Sequence, residues 1–137
     1  HERSRRQRQM CIRDSIMADV VLEEIDEVDT VVGISINGIA FAHEVAQSLD
    51  VEVAIHRNVE GEPGSGALSN KYGQVGGGKK VVIIDDVLSS GVTMSQTISA
   101  IRSLGGEVVL ALVLVNKTAR NEVDDVPLRG LIRAVPV

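Results

Sequence analysis

Tryptophan is absent from this 137-residue chain, tyrosine and phenylalanine occur once each, and Cys11 is the single cysteine. One thiol cannot make an internal disulfide, and neither His nor Cys stands at ligand spacing from a partner, so the sequence offers no disulfide framework and no thiolate or imidazole metal centre. His43 falls in a helical stretch and His56 at a strand end, and each reads as a packed or surface residue. No apolar run reaches the ~18 residues that a membrane-spanning helix requires. A basic surface is missing too: five Arg lie in residues 1–15, which leaves 9 basic and 17 acidic residues, about −8, from Ile16 onward. That body is unsuited to a nucleic-acid face. Since 137 residues suffice for one core and not two, a single cytoplasmic domain is expected.

The basic head has its own explanation. RRQRQMCIRDS, residues 5–15, matches codon by codon the translation of a transposase adapter used in sequencing libraries. Residues 1–15 are therefore expected to be a scar outside the fold, Cys11 included, with the domain occupying residues 16–137 and the natural N-terminal part missing.

In what remains, periodicity alternates. IMADVVLEEIDEVD sets Met17, Val21, Ile25 and Val28 on one helical stripe, with acids elsewhere. Residues 30–35 read as a buried strand, 38–49 as a helix with Phe41 inward, 51–57 as a strand, 80–84 as a strand, 92–104 as a helix ended by Gly105-Gly106, and 107–116 as a strand. Asp124 and Asp125 lie in a solvated loop, and LIRAVPV closes the chain as a last apolar segment. No repeat is visible. Near-continuous apolar strands alternating with helices predict an α/β fold, a Rossmann-like parallel sheet of about five strands with helices on both faces. Residues 58–78 hold seven of the 13 glycines and no apolar period. A long loop or loose hairpin there is expected to serve function.

The chemistry concentrates in VVIIDDVLSSGVTM, residues 81–94. Four β-branched residues run into the adjacent carboxylates of Asp85 and Asp86, which repel one another and need hydroxyl donors, a cation or water. Ser89, Ser90, Gly91 and Thr93 follow and open a helix, whose free N–H groups and dipole favour an anion. Carboxylates for sugar hydroxyls beside amides for a phosphate describe a phosphorylated-sugar site. The plainer alternative is a strand end followed by a Ser N-cap. Other motifs fail on context. GQVGGGKK (73–80) approaches a Walker loop, but Lys80 stands where Ser or Thr would hold magnesium, and the run precedes a strand. A response-regulator acidic site would leave the Ser-Ser-Gly turn without a role. The GSG of the long loop lacks a strand-turn-helix setting.

VVIIDDVLSSGVT resembles the phosphoribosyl pyrophosphate (PRPP) signature of type I phosphoribosyltransferases. The likeness extends through VVGISINGIAFAHEVAQSL and LVNKTARNEVDDVPLRGLIRAVPV, so it covers residues 29–137. It is nearest to archaeal orotate phosphoribosyltransferase-like proteins, a group that includes transcription regulators of sugar metabolism with a DNA-binding helix-turn-helix ahead of this domain. The resemblance implies that Asp85 and Asp86 take the ribose hydroxyls of PRPP and that Leu88, Ser89, Ser90, Gly91, Val92 and Thr93 surround its 5′-phosphate. It also implies that Ser35, Ile36, Asn37 and Gly38 border pyrophosphate, that residues 58–78 are a mobile flap, and that Arg57 and Lys71 are candidate counter-charges for pyrophosphate and Tyr72 a candidate base contact. Mg2+ would be bound mainly through PRPP and water, without an all-protein metal cage, and the domain would form a homodimer.

The chain also departs from the orotate enzymes. They carry a basic DR pair after the fifth strand and several flap lysines, where this sequence has Asn116-Lys117 and only Lys71. Two functions therefore stand side by side. One is the PRPP-binding effector domain of an archaeal-type transcription regulator, reaching DNA only through the missing N-terminal part. The other is an active phosphoribosyltransferase that transfers phosphoribose from PRPP to orotate or a purine base. A scar outside the fold should pack on nothing, so deleting residues 1–15 should leave stability unchanged within about 0.5 kcal/mol. A denaturant melt of the two forms checks this, and a larger loss would return the head to the fold.

Overall fold

A computed structural model describes residues 16–58, 66–69 and 76–134. Its elements are α1 (Ile16–Glu24), β1 (Thr30–Ile34), α2 (Ser35–Leu49), β2 (Glu52–Asn58), β3 (Gly66–Ser69), β4 (Lys80–Leu88), α3 (Val92–Ser103), β5 (Glu107–Asn116), β6 (Glu122–Val123) and β7 (Val126–Arg133). The sheet order is β3-β2-β1-β4-β5-β7-β6. Its inner five strands are mutually parallel, while β3 and β6 pair antiparallel at the two edges. The expected five-stranded parallel sheet is thus present, with an edge strand added on each side.

Both faces are covered, which is why the strands carry so few polar residues. One face packs Val31, Val82, Ile84, Leu110 and Leu112 under Met17, Ala18 and Val21 of α1 and Ala42, Val45 and Ala46 of α2. Ile25, Val28 and Phe41 lie half-buried against this cluster, although α1 ends before Ile25. The other face packs Val32, Ile83, Ala111 and Val113 under Met94, Ile98 and Ile101 of α3, and Val123, Val126 and Leu128 extend it toward the β7 edge.

Several boundaries differ from the sequence reading, and the strand ends do so because pairing outlasts the apolar pattern. β4 continues past Ile84 to Leu88 since β5 is long enough to pair with it through Val87↔Val115 and Leu88↔Asn116. α2 starts at Ser35, so the expected Ser35-Ile36-Asn37-Gly38 turn is a first helical turn. The last strand begins at Val126, where β5 offers an open parallel edge. Asp124 and Asp125 form a tight β6–β7 turn with φ of 49° and 68°. Both are exposed, as the sequence reading has them, and Asp124 is also tied to α3: its carboxylate accepts from Ser95 Oγ, and its carbonyl accepts from Arg102 Nη2 at 2.7 Å. Within the expected loop or hairpin of residues 58–78, β3 pairs back on β2, Asn58 opposite Gly66. Residues 59–65 and 70–75, with the head 1–15, lie outside the described residues.

This topology fixes where a ligand would meet the sheet. β1 leads outward to β2 on one side and β4 to β5 on the other, so the crevice opens between the carboxyl ends of β1 and β4. Two glycines let α2 sit directly on that point. A Cβ on Gly33 would lie 2.8 Å from Ile39 Cα and 2.9 Å from Ala42 Cβ, and one on Gly38 would lie 3.0 Å from the Ile84 carbonyl oxygen. Gly33→Ala should therefore lift α2 from β1 and destabilise the fold by about 1–3 kcal/mol, the usual cost of overpacking. Chemical denaturation measures it, and an alanine variant as stable as the parent would mean the helix is not seated by this contact.

Candidate functional site

β1 and β4 each deliver a polar residue just where their hydrophobic runs stop. Ser35 takes φ 65°, a left-handed conformation that is strained for a residue with a Cβ. The strain is held by hydrogen bonds. Its hydroxyl donates to Asp85 Oδ1 at 3.1 Å and lies 3.4 Å from Asp86 Oδ1, while the Gly38 N–H donates back to Ser35 Oγ at 3.3 Å. Asn37 Nδ2 donates to Asp86 Oδ2 at 3.1 Å. The two carboxylates also accept main-chain N–H groups, Asp86 N to Asp85 Oδ1 and Val87 N to Asp86 Oδ1, both at 2.8 Å. The first turn of α2 thus clamps the acids of β4 into one orientation.

The pair is electrostatically unequal. Burial pushes the Asp85 carboxyl up to about 7, with help from its carboxyl–carboxylate bond and charge repulsion with Asp86, against the lowering effect of the Asp86 N–H and Ser35. Desolvation acts on Asp86 in the same direction, but hydrogen bonds from Asp85, Asn37 and the Val87 N–H outweigh it and hold that carboxyl below its usual value. Near neutrality the pair therefore retains a proton for part of the time, and it resides on Asp85.

Beyond the acids the chain turns into α3 through Gly91, which has φ 83° and ψ 0° and no side chain to cap the helix, while Ser90 Oγ accepts the Val92 N–H at 3.4 Å. The acids and this turn face a cavity of about 580 Å³. Of the residues singled out from sequence, Ser35, Ile36, Asp85, Asp86, Leu88, Ser89, Ser90, Gly91 and Thr93 line it. Asn37 supports Asp86 from behind, Gly38 packs beneath Asp85, and Val92 is exposed off the wall. Arg57 lies in β2, one residue before its end, and Lys71 and Tyr72 fall outside the described residues. Among the described residues no group of three or more His, Cys, Asp or Glu could hold a metal ion.

His56 and Arg120 are the residues the sequence reading missed here. His56 is buried and lines the cavity. Thr97 Oγ1 donates to the Thr93 carbonyl at 2.9 Å, so its contact with His56 Nδ1, also 2.9 Å, has the imidazole as donor. Burial lowers the His56 pKa and keeps the ring neutral, and Nε2 is the one buried side-chain polar atom without a hydrogen bond among the described residues. Arg120 reaches the same turn from the loop after β5, with Nη1 3.4 Å from the Ser90 carbonyl oxygen. Sequence spacing carries no signal for either residue, because both arrive from other parts of the chain.

Comparison with known proteins supplies the context. The family model for the phosphoribosyl transferase domain matches residues 12–133. A transcriptional regulator GfcR of Thermoplasma acidophilum is 41% identical over 122 residues, 86% of this chain and 61% of the relative. The GfcR of Archaeoglobus fulgidus is 35% identical over 127 residues, 88% of this chain and 65% of its own length. The chain thus spans somewhat under two thirds of the curated relatives it matches. Among solved structures, orotate phosphoribosyltransferase from Aeropyrum pernix superposes with a TM-score of 0.70 at 25% identity, over 87% of this chain and 70% of that one. Adenine phosphoribosyltransferase from Rhodothermus marinus, at 24% identity and a TM-score of 0.69 over 85% and 76%, shares the fold.

The unequal acids predict a pH signature. Because the folded Asp85 carboxyl binds its proton more tightly than the unfolded one, its contribution to stability is full below about pH 4 and is lost as pH rises to about 7. The lowered Asp86 carboxyl contributes a term that is constant over that window and is lost only in stronger acid. The melting temperature of Asp85→Asn minus that of the parent should therefore grow between pH 4 and pH 8. A difference that is flat across this range would show that Asp85 titrates as an ordinary surface carboxyl.

Proposed function

Since the chain belongs to the phosphoribosyl transferase domain family, we propose that it binds PRPP, or a closely related phosphorylated sugar, as the effector domain of a transcription regulator of sugar metabolism. The observation that carries the reading is that the paired carboxylates and the glycine turn opening a helix line one cavity. In this reading Asp85 and Asp86 accept the ribose hydroxyls. Residues 88–93 take the 5′-phosphate on amides and hydroxyls, and the first turn of α2, residues 35–38, borders pyrophosphate. Mg2+ would come in on the oxygens of PRPP, with Asp85 and Asp86 as the nearest protein anions. It would offset pyrophosphate charge.

The regulatory role is supported by relatives named as transcriptional regulators, of which this chain matches 61% to 65%. In this reading DNA contact belongs to the part of such proteins beyond the matched stretch, in line with an acidic body here. The domain acts in the cytoplasm, where PRPP is made, and as a homodimer. In this reading residues 58–78 serve as a flap, and Arg57, Lys71 and Tyr72 are its proposed ligand contacts. The likeness to an orotate phosphoribosyltransferase favours a second reading, transfer of phosphoribose to a base. It requires turnover, so pyrophosphate release with orotate or adenine separates the two.

PRPP with Mg2+ at about 100 times its dissociation constant should stabilise the domain by about 2.7 kcal/mol. The double variant Asp85→Asn, Asp86→Asn keeps shape and the Oδ1 acceptors, so it should fold within about 1 kcal/mol of the parent. Its ligand shift should largely vanish, since hydrogen bonds to charged acceptors contribute roughly 1.5–3 kcal/mol each. Melting curves with and without Mg-PRPP read both numbers, and a folded double variant that keeps the full shift would refute the sugar-binding role of these acids.

A further inference from the structure

The turn read above as a phosphate site has no cation of its own. Residues 88–93 are Leu-Ser-Ser-Gly-Val-Thr, and Asp85 and Asp86 line the same cavity. A phosphomonoester brings about −1.5 to −2 further charge at pH 7. Amides and hydroxyls must hold that charge beside two acids, and a positive group within reach would relieve the repulsion.

Arg120 supplies one. Its Nη1 lies 3.4 Å from the Ser90 carbonyl oxygen and 2.7 Å from the point where a Cβ on Gly91 would stand. The arm is positioned by its own main chain. The Arg120 carbonyl accepts from Asn116 Nδ2 and from Arg133 Nη2, each at 3.0 Å, and the Arg120 N–H donates to Thr118 Oγ1 at 3.1 Å. Asn116, only 1% exposed, in turn receives the Thr118 N–H at 2.9 Å and its hydroxyl at 2.7 Å on Oδ1. A buried amide thus shapes a loop whose exposed guanidinium overhangs the turn.

The other basic residues nearby make different contacts. Arg133 spends Nη2 on the Arg120 carbonyl and Asn121 Oδ1, and Lys117 meets the turn through its main-chain N–H, which donates to the Leu88 carbonyl at 2.9 Å. A guanidinium offers five donors, and the long bond to Ser90 engages one of them. Such a bond alone does little for stability. Gly91 is required by its φ of 83°, and the space a side chain would take there holds only the flexible tip of Arg120.

We propose that Arg120 is a specificity-determining residue, which selects a phosphorylated sugar by closing over Gly91 and donating to the phosphomonoester held in the 89–93 turn. The inference rests on the reading of that turn given under Proposed function. Calorimetry of the full chain with ribose 5-phosphate, and separately with inorganic pyrophosphate and Mg2+, tests it. Arg120→Gln should weaken ribose 5-phosphate by about tenfold, as loss of a charge-assisted contact does, and leave pyrophosphate within about twofold. Arg120→Lys should fall between, keeping the charge and losing the fork. An apo melting temperature equal to the parent's certifies the fold of each variant, and if Arg120→Gln fails to fold, the lysine variant is read by the same criterion. Unchanged ribose 5-phosphate affinity would overturn the role of Arg120 alone. Equal weakening of both ligands would also overturn it, since that marks a general field and not a contact. A parent chain that binds pyrophosphate but no ribose 5-phosphate would refute the phosphate turn itself, and the proposal with it.

Discussion

The hydrogen bond from the Ser35 hydroxyl to Asp85 ties together the two strands whose connections diverge, and the site is organised around it. β1 and β4 run side by side through the middle of the sheet, and beyond Gly33 and Ile84 nothing in the strand pairing holds them together. The bond closes that gap. It depends on α2 approaching close enough to put Ser35 in a left-handed conformation, which the missing side chains of Gly33 and Gly38 allow. Helix seating, backbone strain and carboxylate orientation are in this sense one arrangement.

The arrangement has an electrostatic cost that bears on function. Asp85 is 7% exposed, and a carboxylate so covered favours its proton, while its neighbour Asp86 is kept ionised by donors from α2 and its own strand. A ligand that brings hydroxyl donors replaces the water the pair has lost and favours full ionisation. Strain and desolvation held at one place by packing elsewhere are what binding sites commonly display. Here the packing comes from the two apolar clusters on either side of the sheet.

The turn that follows the acids is reached by residues from farther away. His56 comes from β2 and bonds to α3 through Thr97, whose hydroxyl continues to the Thr93 carbonyl in the first turn of the helix. Arg120 comes from the loop after β5, held there by buried Asn116. Strand β2, helix α3 and the β5 loop therefore converge on one turn that contains no charged residue. The position of that turn is a property of the whole sheet.

By itself the sequence determined the alternation of elements, the parallel sheet and the acid pair with its following turn, because each is written in contiguous residues. Four apolar residues before Asp85 make a strand, and Ser-Ser-Gly before a helical period makes a turn, whatever lies elsewhere. Strand ends were less legible: β4 runs on to Leu88 because β5 pairs with it, and pairing is not local. Only the tertiary structure decided which residues share the cavity, the unequal protonation of Asp85 and Asp86, and the places of His56 and Arg120. These depend on burial and on distances between residues far apart in the chain, 30 positions for Arg120 and Ser90 and 50 for Ser35 and Asp85, and no spacing rule reaches across a fold.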